Sequence, residues 1–421
     1  MSRDDPPRAA AMRRRRAIGA AVACNVLEFF DFVAYAFFAA QIGRAFFPSR
    51  EAGASLLLSV AVFGVGFVAR PVGSVVIGRF ADRAGRRPAL YLTAILMTCA
   101  TLGLAFTPDY AAIGVAAPII FTALRLLQGF ALGGDIGPST AFLLEIAPPG
   151  RRASYVALQF VSQGLAGMLA AAIGLALFAM LDDAAMDAWG WRVPFACGLL
   201  LVPVAVYLRI GMPETLPSSS APVPAPVRWR VGHVIMGIGA IAGGTVATYV
   251  ASYMATYGTT VLHLPAASGL HAALAVGLAT VAGGVAGGWL ADRFGRWPAM
   301  FWPRLAMALA VVPAFMLLAA RRDPATLLAV AAALAFLTAL NGGGVLTAIC
   351  ELFPSAQRAA GLAFVYSAGV SLFGGATQFL VTWLIGATGD PLAPAWCVVA
   401  ASLVSLAAIL RMPETRPAPT V

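Results

Sequence analysis

The sequence predicts an all-α membrane protein in which twelve transmembrane helices form two pseudo-symmetric six-helix bundles. Three observations predict this fold. The chain of 421 residues is 60% hydrophobic and only 11% charged, whereas a soluble domain carries about 25% charged residues. Twelve apolar runs are each long enough to cross about 30 Å of hydrocarbon as a helix of roughly 20 residues. A charged motif between apolar runs also occurs twice, half a chain apart.

Short polar links separate most of the apolar runs, which define the expected helices in order. The runs cover residues 17–40, 54–78, 88–106, 113–146, 153–180, 192–210, 232–257, 268–290, 298–319, 325–350, 359–386 and 394–411. The link at 211–231 is rich in Pro and Ser, which favours an extended connector without a core. The predicted organisation is a tail at 1–16, a first bundle at 17–210, the connector at 211–231, a second bundle at 232–411 and a tail at 412–421.

The basic residues predict the orientation of the chain. All 28 of them are Arg, and most lie on the side of the membrane that holds both termini. An excess of this kind marks the cytoplasmic side, so we expect both termini in the cytoplasm. The Arg residues cluster at the ends of apolar runs, which argues against a nucleic-acid partner despite the net charge of +10. The five Cys and three His have no metal-binding spacing, so no metal is expected.

Three motifs recur in the same order in the two halves of the chain. The pairs are Gly78–Arg87 with Gly288–Trp297, Glu145–Arg152 with Glu351–Arg358, and Leu208–Thr215 with Leu410–Thr415. The first pair reads GRFADRAGRR and GWLADRFGRW. Two halves that repeat in the same direction around a central cavity are typical of secondary transporters.

These motifs resemble the signature segments of the major facilitator superfamily. The resemblance extends to Arg125–Gly129, to Glu145–Pro148 and, within the metabolite:proton symporters of that superfamily, to Asn25–Phe32 and Trp189–Phe195. Among these symporters the chain resembles those for citrate and tricarballylate, and Thr388–Asp390 adds to that likeness. The resemblance covers essentially the whole chain and implies the major facilitator fold.

The resemblance implies a proton-coupled symporter that imports a small organic anion, citrate or a related tricarboxylate or dicarboxylate, across the inner membrane. Such carriers work by alternating access, and the protein is expected to act as a monomer and not as an enzyme. No cofactor is expected besides the coupling proton, and no Walker motif supplies ATP-driven transport. The alternatives are a symporter for a zwitterionic osmolyte such as betaine or proline, a drug or metabolite exporter, and a non-transporting membrane sensor.

Ionisable side chains inside apolar runs are costly and mark candidate sites. A rise of about 1.5 Å per helical residue places Glu28, Arg70 and Asp135 in one layer, with Arg125 nearer the outer half. We expect Arg70 and Arg125 to bind substrate carboxylates, because guanidinium forks fit their planar geometry. Glu28, Asp31 or Asp135 would carry the proton, and binding of substrate to a neighbouring Arg would couple the two. A fixed ion-pair network between the helices is the alternative.

Uncharged polar side chains complete the expected substrate site. Gln159 and Gln163 are four residues apart and share one face of the fifth helix. The expected substrate contacts of this class are Asn25, Gln128, Gln159, Gln163, Tyr253, Asn341 and Gln378. Packing between helices is the alternative for Tyr253, which belongs to a tyrosine stripe. In the second half Arg304, expected near a helix end, is the one strong acid or base inside the membrane, so we expect proton handling in the first half.

By resemblance, the charged loops latch the two halves together on the cytoplasmic side. The latch residues are expected to be Asp82, Arg83, Arg86 and Arg87 in the first loop, Asp292, Arg293 and Arg296 in the second, and Glu145, Arg152, Glu351 and Arg358 at nearby helix ends. The latch must be breakable, because alternating access requires two states of similar free energy. A charge cluster that only sets orientation is the alternative.

Overall fold

The computed structural model describes residues 7–49, 53–84, 86–199, 230–354 and 358–415. Within these ranges the regular secondary structure is helical throughout. The apolar runs form helices because a backbone in hydrocarbon must satisfy its own hydrogen bonds, which a helix does within a single segment.

The first half contributes α1 to α5 and the start of α6. The helices are α1 Pro7–Phe37, α2 Ala54–Ala84, α3 Arg86–Phe106, α4 with the segments Ala116–Gly133 and Ile136–Ile146, and α5 with the segments Arg152–Val156 and Leu158–Met180. Short helices in the links are Ala39–Phe46, Tyr110–Ile113, Asp183–Ala188 and the 3-10 turn Gly190–Arg192. The helix α6 begins at residue 193 and is described as far as residue 199.

The second half contributes α7 to α12. The helices are α7 Val231–Thr260, α8 Ala266–Phe294, α9 Arg296–Arg321, α10 Pro324–Leu352, α11 with the segments Arg358–Gly369, Val370–Gly374 and Thr377–Thr388, and α12 Ala393–Ile409. The middle segment of α11 is a π-helix.

The described helices match the predicted runs in number and order. Nine spans are long and apolar enough to cross a membrane, and Tyr91–Phe106 and Ala393–Ile409 are shorter apolar helices, counted over the described residues alone. With the start of α6, these account for the twelve predicted helices. The first helix already begins at Pro7, within the tail predicted at 1–16. The predicted connector at 211–231 lies outside the described residues as far as residue 229.

Close backbone packing between α2 and α4 brings charged residues of the first bundle to the same level. A Cβ atom on Gly129 would lie only 1.6 Å from the carbonyl oxygen of Gly66, so the backbone of α2 leaves no room for a side chain on Gly129. One turn further along, a Cβ atom on Gly133 would lie 2.1 Å from the carbonyl oxygen of Arg70. Small residues permit such contacts in membrane helices. They place Arg70 beside the break in α4 at which Asp135 lies.

Two of the helix pairs that join the bundles flank the candidate site. The helices α5 and α8 meet at Gly164, where an added Cβ atom would lie 2.6 Å from the carbonyl oxygen of Gly277. The helices α2 and α11 meet at the π-helical segment, where the Ser371 hydroxyl donates a 2.5 Å hydrogen bond to the carbonyl oxygen of Phe67. The candidate site lies between these two seams.

Candidate binding site between the two bundles

A cavity of about 310 Å³ contains the layer of charges that the sequence predicts. Its lining includes Glu28 of α1, Arg70 of α2 and Asp135 at the break of α4. The second bundle closes it with Tyr366 and Ser367. The predicted convergence of Glu28, Arg70 and Asp135 is therefore present, and it occurs where the two bundles face each other.

Aromatic rings hold the Arg70 guanidinium in this layer. Its central carbon lies 4.1 Å from the centre of the Phe67 ring and 4.9 Å from that of Phe32. Tyr249, from α7 of the second bundle, lies within hydrogen-bonding reach of the same guanidinium. The Arg70 Nε atom has no hydrogen-bond partner among the described residues. A cation stacked on rings keeps donors available for a carboxylate ligand.

A second polar layer links Asp31 to Arg125 through two neutral side chains. The Thr101 hydroxyl donates to Asp31 Oδ2, and Gln128 Nε2 donates to the Thr101 oxygen over 3.2 Å. The Gln128 carbonyl oxygen in turn accepts from Arg125 Nη1. The remaining oxygen of Asp31, Oδ1, has no hydrogen-bond partner among the described residues. The acid and the cation are thus connected by a continuous chain of hydrogen bonds rather than by direct contact.

Arg125 lies behind this layer rather than on the cavities described here. Its guanidinium carbon stands 4.1 Å from the centre of the Tyr35 ring, and the Tyr35 hydroxyl donates to the Ser59 carbonyl oxygen over 2.9 Å. Phe32 lies between the two cations, since its ring centre is 5.6 Å from Arg125 and 4.9 Å from Arg70. Both predicted anion-binding guanidinium groups therefore share one aromatic ring.

Polar residues of α5 anchor α1 and α4 near the charged layers. The Asn25 amide donates to the Ser162 hydroxyl and, over 3.4 Å, to the Gln159 carbonyl oxygen. The Gln159 amide donates to Ser139 over 3.0 Å and to Thr140 over 3.1 Å. These bonds hold Gln159 within the bundle, where it is buried, while Asn25 also lines the cavity of Arg70.

Larger cavities between the bundles adjoin the charged layer. A cavity of about 540 Å³ is lined by Gln163, Tyr249, Asn341 and Tyr366. Another of about 720 Å³ shares Gln163 and Tyr249 and extends along α8. Tyr366 lines both the 540 Å³ cavity and the cavity of Arg70, so these spaces meet at that residue.

Two predicted contacts of the second bundle lie apart from these cavities, as Arg125, Gln128 and Gln159 of the first bundle do. Tyr253 is buried in the core of the second bundle, where its hydroxyl accepts a 3.0 Å hydrogen bond from Thr382. The Gln378 amide reaches the Tyr249 carbonyl oxygen at 3.5 Å, and its side chain lines neither the 540 Å³ nor the 720 Å³ cavity. Both residues join α11 to α7 in this structure, which is the packing alternative for Tyr253.

The second charged loop joins the bundles at one end of the molecule. Asp292 of α8 accepts hydrogen bonds from the backbone N–H groups of Ala153 and Ser154 at 2.9 and 2.8 Å, and from the Ser154 hydroxyl at 2.6 Å. These donors belong to the first turn of α5, whose exposed N–H groups attract a carboxylate. The side chains of the corresponding first-loop residues, Asp82, Arg83, Arg86 and Arg87, lie outside the described side chains.

Arg296 and Glu351 form the centre of a network around Asp292. Arg296 donates to both Glu351 oxygens at 3.1 Å, and its Nη1 lies 3.4 Å from Asp292. Arg152, from the first bundle, approaches Glu351 at 3.9 Å. Arg358 instead donates to the carbonyl oxygen of Cys350 over 3.0 Å. Two further predicted latch residues, Glu145 and Arg293, are exposed near this network.

The structure also reveals site residues that the sequence analysis did not select. Thr101 completes the chain from Asp31, Tyr249 reaches Arg70 across the bundle interface, and Arg304 binds the predicted contact Asn341 at 2.8 Å. The sequence signal for Arg304 was its charge within an apolar run, which marks a functional candidate by default. Its expected place near a helix end was wrong, because α9 begins at Arg296 and Arg304 lies two turns inside it, fully buried.

Comparison with known proteins agrees with this architecture. Residues 21–369 match the family model of the Major Facilitator Superfamily. The chain is 36% identical to the citrate-proton symporter of Klebsiella pneumoniae, with 91% of this chain and 88% of that protein covered. It is 32% identical to the alpha-ketoglutarate permease of Escherichia coli (strain K12), with 94% and 93% covered. Its fold matches the proton:xylose symporter XylE with a TM-score of 0.78 at 18% identity, over 96% of this chain and 97% of that one.

The fold and the relatives define a multi-pass membrane transporter rather than an enzyme. The chain belongs to the Major Facilitator Superfamily. The resemblance to citrate symporters, predicted from the motifs, and the twelve-helix fold, predicted from the apolar runs and the repeated motif, are thereby confirmed.

Proposed function

We propose that the protein is a proton-coupled symporter that imports a small organic anion, citrate or a related tricarboxylate or dicarboxylate, by alternating access. The observation that carries the proposal is Arg70, a cation whose Nε atom has no hydrogen-bond partner among the described residues, on a cavity shared by both bundles. The identity of 36% to a citrate-proton symporter supports the class of substrate. We also propose that it acts as a monomer in the inner membrane, with both termini in the cytoplasm.

Coupling to the proton follows from the acids that share the site with Arg70. An incoming carboxylate competes with Glu28 and Asp135, which line the same cavity, for the positive charge of Arg70. An acid whose negative charge is no longer stabilised by Arg70 binds a proton instead. Substrate and proton therefore enter together, and each favours binding of the other. The Oδ1 atom of Asp31, which accepts no hydrogen bond from any residue the structure describes, offers another position for the proton.

The series of hydrogen bonds between Asp31 and Arg125 couples the protonation of Asp31 to the charge of Arg125. Protonation of Asp31 removes the negative end of the chain, and the hydrogen bonds of Thr101 and Gln128 transmit the change toward Arg125. Buried polar networks respond as a unit because each bond polarises the next. Arg125 therefore tunes the charge of the site, and Arg70 makes the direct contact with the substrate.

Uptake by purified protein in proteoliposomes tests the proposal. Labelled citrate should accumulate under an inward proton gradient, and a protonophore should abolish accumulation. The variant Arg70→Gln should lower citrate affinity by about tenfold or more, the size of a lost charge-assisted hydrogen bond. Arg321→Gln, at an exposed helix end, is the matched control and should transport normally. Proton-driven accumulation of labelled betaine with no uptake of citrate would reject the organic anion and favour the osmolyte alternative.

A further inference from the structure

The second bundle contains a buried cation that the coupling scheme above does not use. Arg304 on α9 is fully buried, and its Nη2 atom donates to the Asn341 amide oxygen over 2.8 Å. Its Nε and Nη1 atoms have no hydrogen-bond partner among the described residues. Asn341 is itself fixed, since its amide donates to the Met300 carbonyl oxygen. A guanidinium inside a membrane protein that is paired only with a neutral amide is costly and is typical of a functional site.

Gly244 forms a window between this cation and the central cavity. Both Gly244 and Asn341 line the 540 Å³ cavity. A Cβ atom built on Gly244 would meet the Arg304 Nη2 atom at 3.1 Å and no other atom within 4 Å. The missing side chain therefore leaves the guanidinium as the group directly behind the cavity wall. The Nη2 atom carries two hydrogens, and Asn341 accepts one of them, so a second remains for a ligand in the cavity.

The charges on the two sides of the cavity system differ. On the first bundle, Arg70 shares its cavity with the acids Glu28 and Asp135. On the second bundle, the Arg304 nitrogens have a neutral acceptor and two vacant positions among the described residues. The two cavities meet at Tyr366. A solute with several carboxylates could thus bind one cation in each bundle.

We propose that Arg304, aligned by Asn341 behind the Gly244 window, is a second carboxylate subsite, which binds the far end of a dicarboxylate or tricarboxylate. The inference rests on the proposed function and deepens it, because it assigns the second bundle a share of substrate recognition. A bound polycarboxylate then bridges the bundles from Arg70 to Arg304. A monocarboxylate occupies the Arg70 end alone and gains nothing from Arg304.

Binding of three acids on one carbon skeleton tests the subsite. Tricarballylate, glutarate and butyrate carry three, two and one carboxylates on the same propane backbone. Their affinities are measured by displacement of labelled citrate from purified protein. The ratio of the affinity for tricarballylate or glutarate to that for butyrate measures the gain from the added carboxylates. In Arg304→Gln this ratio should fall by about tenfold or more, as expected for one lost charge-assisted hydrogen bond. Butyrate should bind as it does to the wild type.

The glycine window supplies an independent variant. Gly244→Ala places a methyl group against Arg304 Nη2 and should reduce the same carboxylate-dependent gain, less strongly than Arg304→Gln. Gly386→Ala, at a helical glycine whose Cβ would meet nothing within 4 Å, is the control and should leave all three affinities unchanged. If Arg304→Gln fails to fold, Gly244→Ala decides alone.

The outcomes separate the subsite from the proposed function. Unchanged tricarballylate affinity in the variants, or an equal loss of affinity for all three acids, would overturn the subsite. Arg304 would then serve only to stabilise the packing of α9 against α10. Citrate transport by the wild type would still stand in that case. A wild-type protein that binds none of the polycarboxylates would instead remove the proposed function, and the subsite with it.

Discussion

Asp292 offers a sharp test of how the bundles are held together. Its carboxylate accepts three hydrogen bonds from the first turn of α5, two from backbone N–H groups and one from the Ser154 hydroxyl, at 2.6–2.9 Å. All three cross from the second bundle to the first. Asp292→Ala removes the acceptor, leaves the donors to water, and should therefore favour the state in which the bundles are separated at this end.

The size of the shift follows from the bonds that are lost. A hydrogen bond to a charged group contributes about 1.5–3 kcal/mol, and three bonds that share one carboxylate are not additive, so about 3 kcal/mol is a cautious total. That free energy changes a two-state ratio by about 150-fold. A carrier that is closed at this end in about 90% of molecules would become closed in about 6%.

Distances between spin labels measure this population directly. Labels at Arg151→Cys, beside α5, and at Arg411→Cys, after α12, report on the two bundles from exposed positions at the same end. They require replacement of the native cysteines, of which Cys99 is exposed. Double electron–electron resonance on the apo protein should show a short distance between the labels in the wild type and a longer one in Asp292→Ala.

Asp323 is the matched control for this experiment. It also accepts from a backbone N–H and a hydroxyl, those of Thr326 at 2.9 and 2.7 Å, but both groups belong to its own bundle. Asp323→Ala should therefore leave the distance distribution unchanged. Equal distributions for the wild type and Asp292→Ala would refute the assignment of Asp292 as a latch between the bundles.

Three further changes test other parts of the structure. Asp31→Asn should abolish proton-driven accumulation of citrate in proteoliposomes but preserve citrate exchange, and normal accumulation would exclude Asp31 as the proton carrier. Gly129→Ala forces α2 and α4 apart and should sharply lower the Tm in detergent, whereas Gly386→Ala should not; equal Tm values would contradict the close packing. The Thr326 hydroxyl and N–H hold the pKa of Asp323 below its ordinary value of 3.8, so the carboxylate stabilises the fold near neutrality and loses this effect as the pH falls through that lowered pKa. The Tm of Asp323→Asn should accordingly lie below that of the wild type at pH 7, with the gap closing on acidification, and a gap independent of pH would refute the stabilising role.

Distance along a helix was predictable from the sequence, because each residue adds about 1.5 Å. Glu28, Arg70 and Asp135 were expected in one layer on that basis, and they line one cavity. The twelve helices were predictable for a related reason, since runs of about 20 apolar residues have few alternatives to a membrane span. The duplicated motifs supplied the division into two bundles.

Rotation about each helix axis was not predictable in the same way. A helix that is apolar on every side carries no pattern to show which face meets the neighbouring bundle. Tyr249 and Tyr253 differ by four residues on α7, but Tyr249 reaches Arg70 while Tyr253 packs against Thr382. Contacts such as that between Thr101 and Asp31 depend on which helices are neighbours, which single-sequence periodicity leaves open.

The hydrogen bond from Ser371 to Phe67 has a mechanical consequence. The Ser371 hydroxyl belongs to the π-helical segment of the second bundle, and its acceptor is the backbone carbonyl of the residue whose ring supports Arg70 at 4.1 Å. If α11 moves away from α2, the pull is applied at Phe67 itself. Opening of this seam would then tilt the ring that supports Arg70, the proposed counter-charge of the substrate, and a bound anion would oppose the tilt. The hydrogen bond across this seam and the ring that supports Arg70 thus belong to a single residue, Phe67.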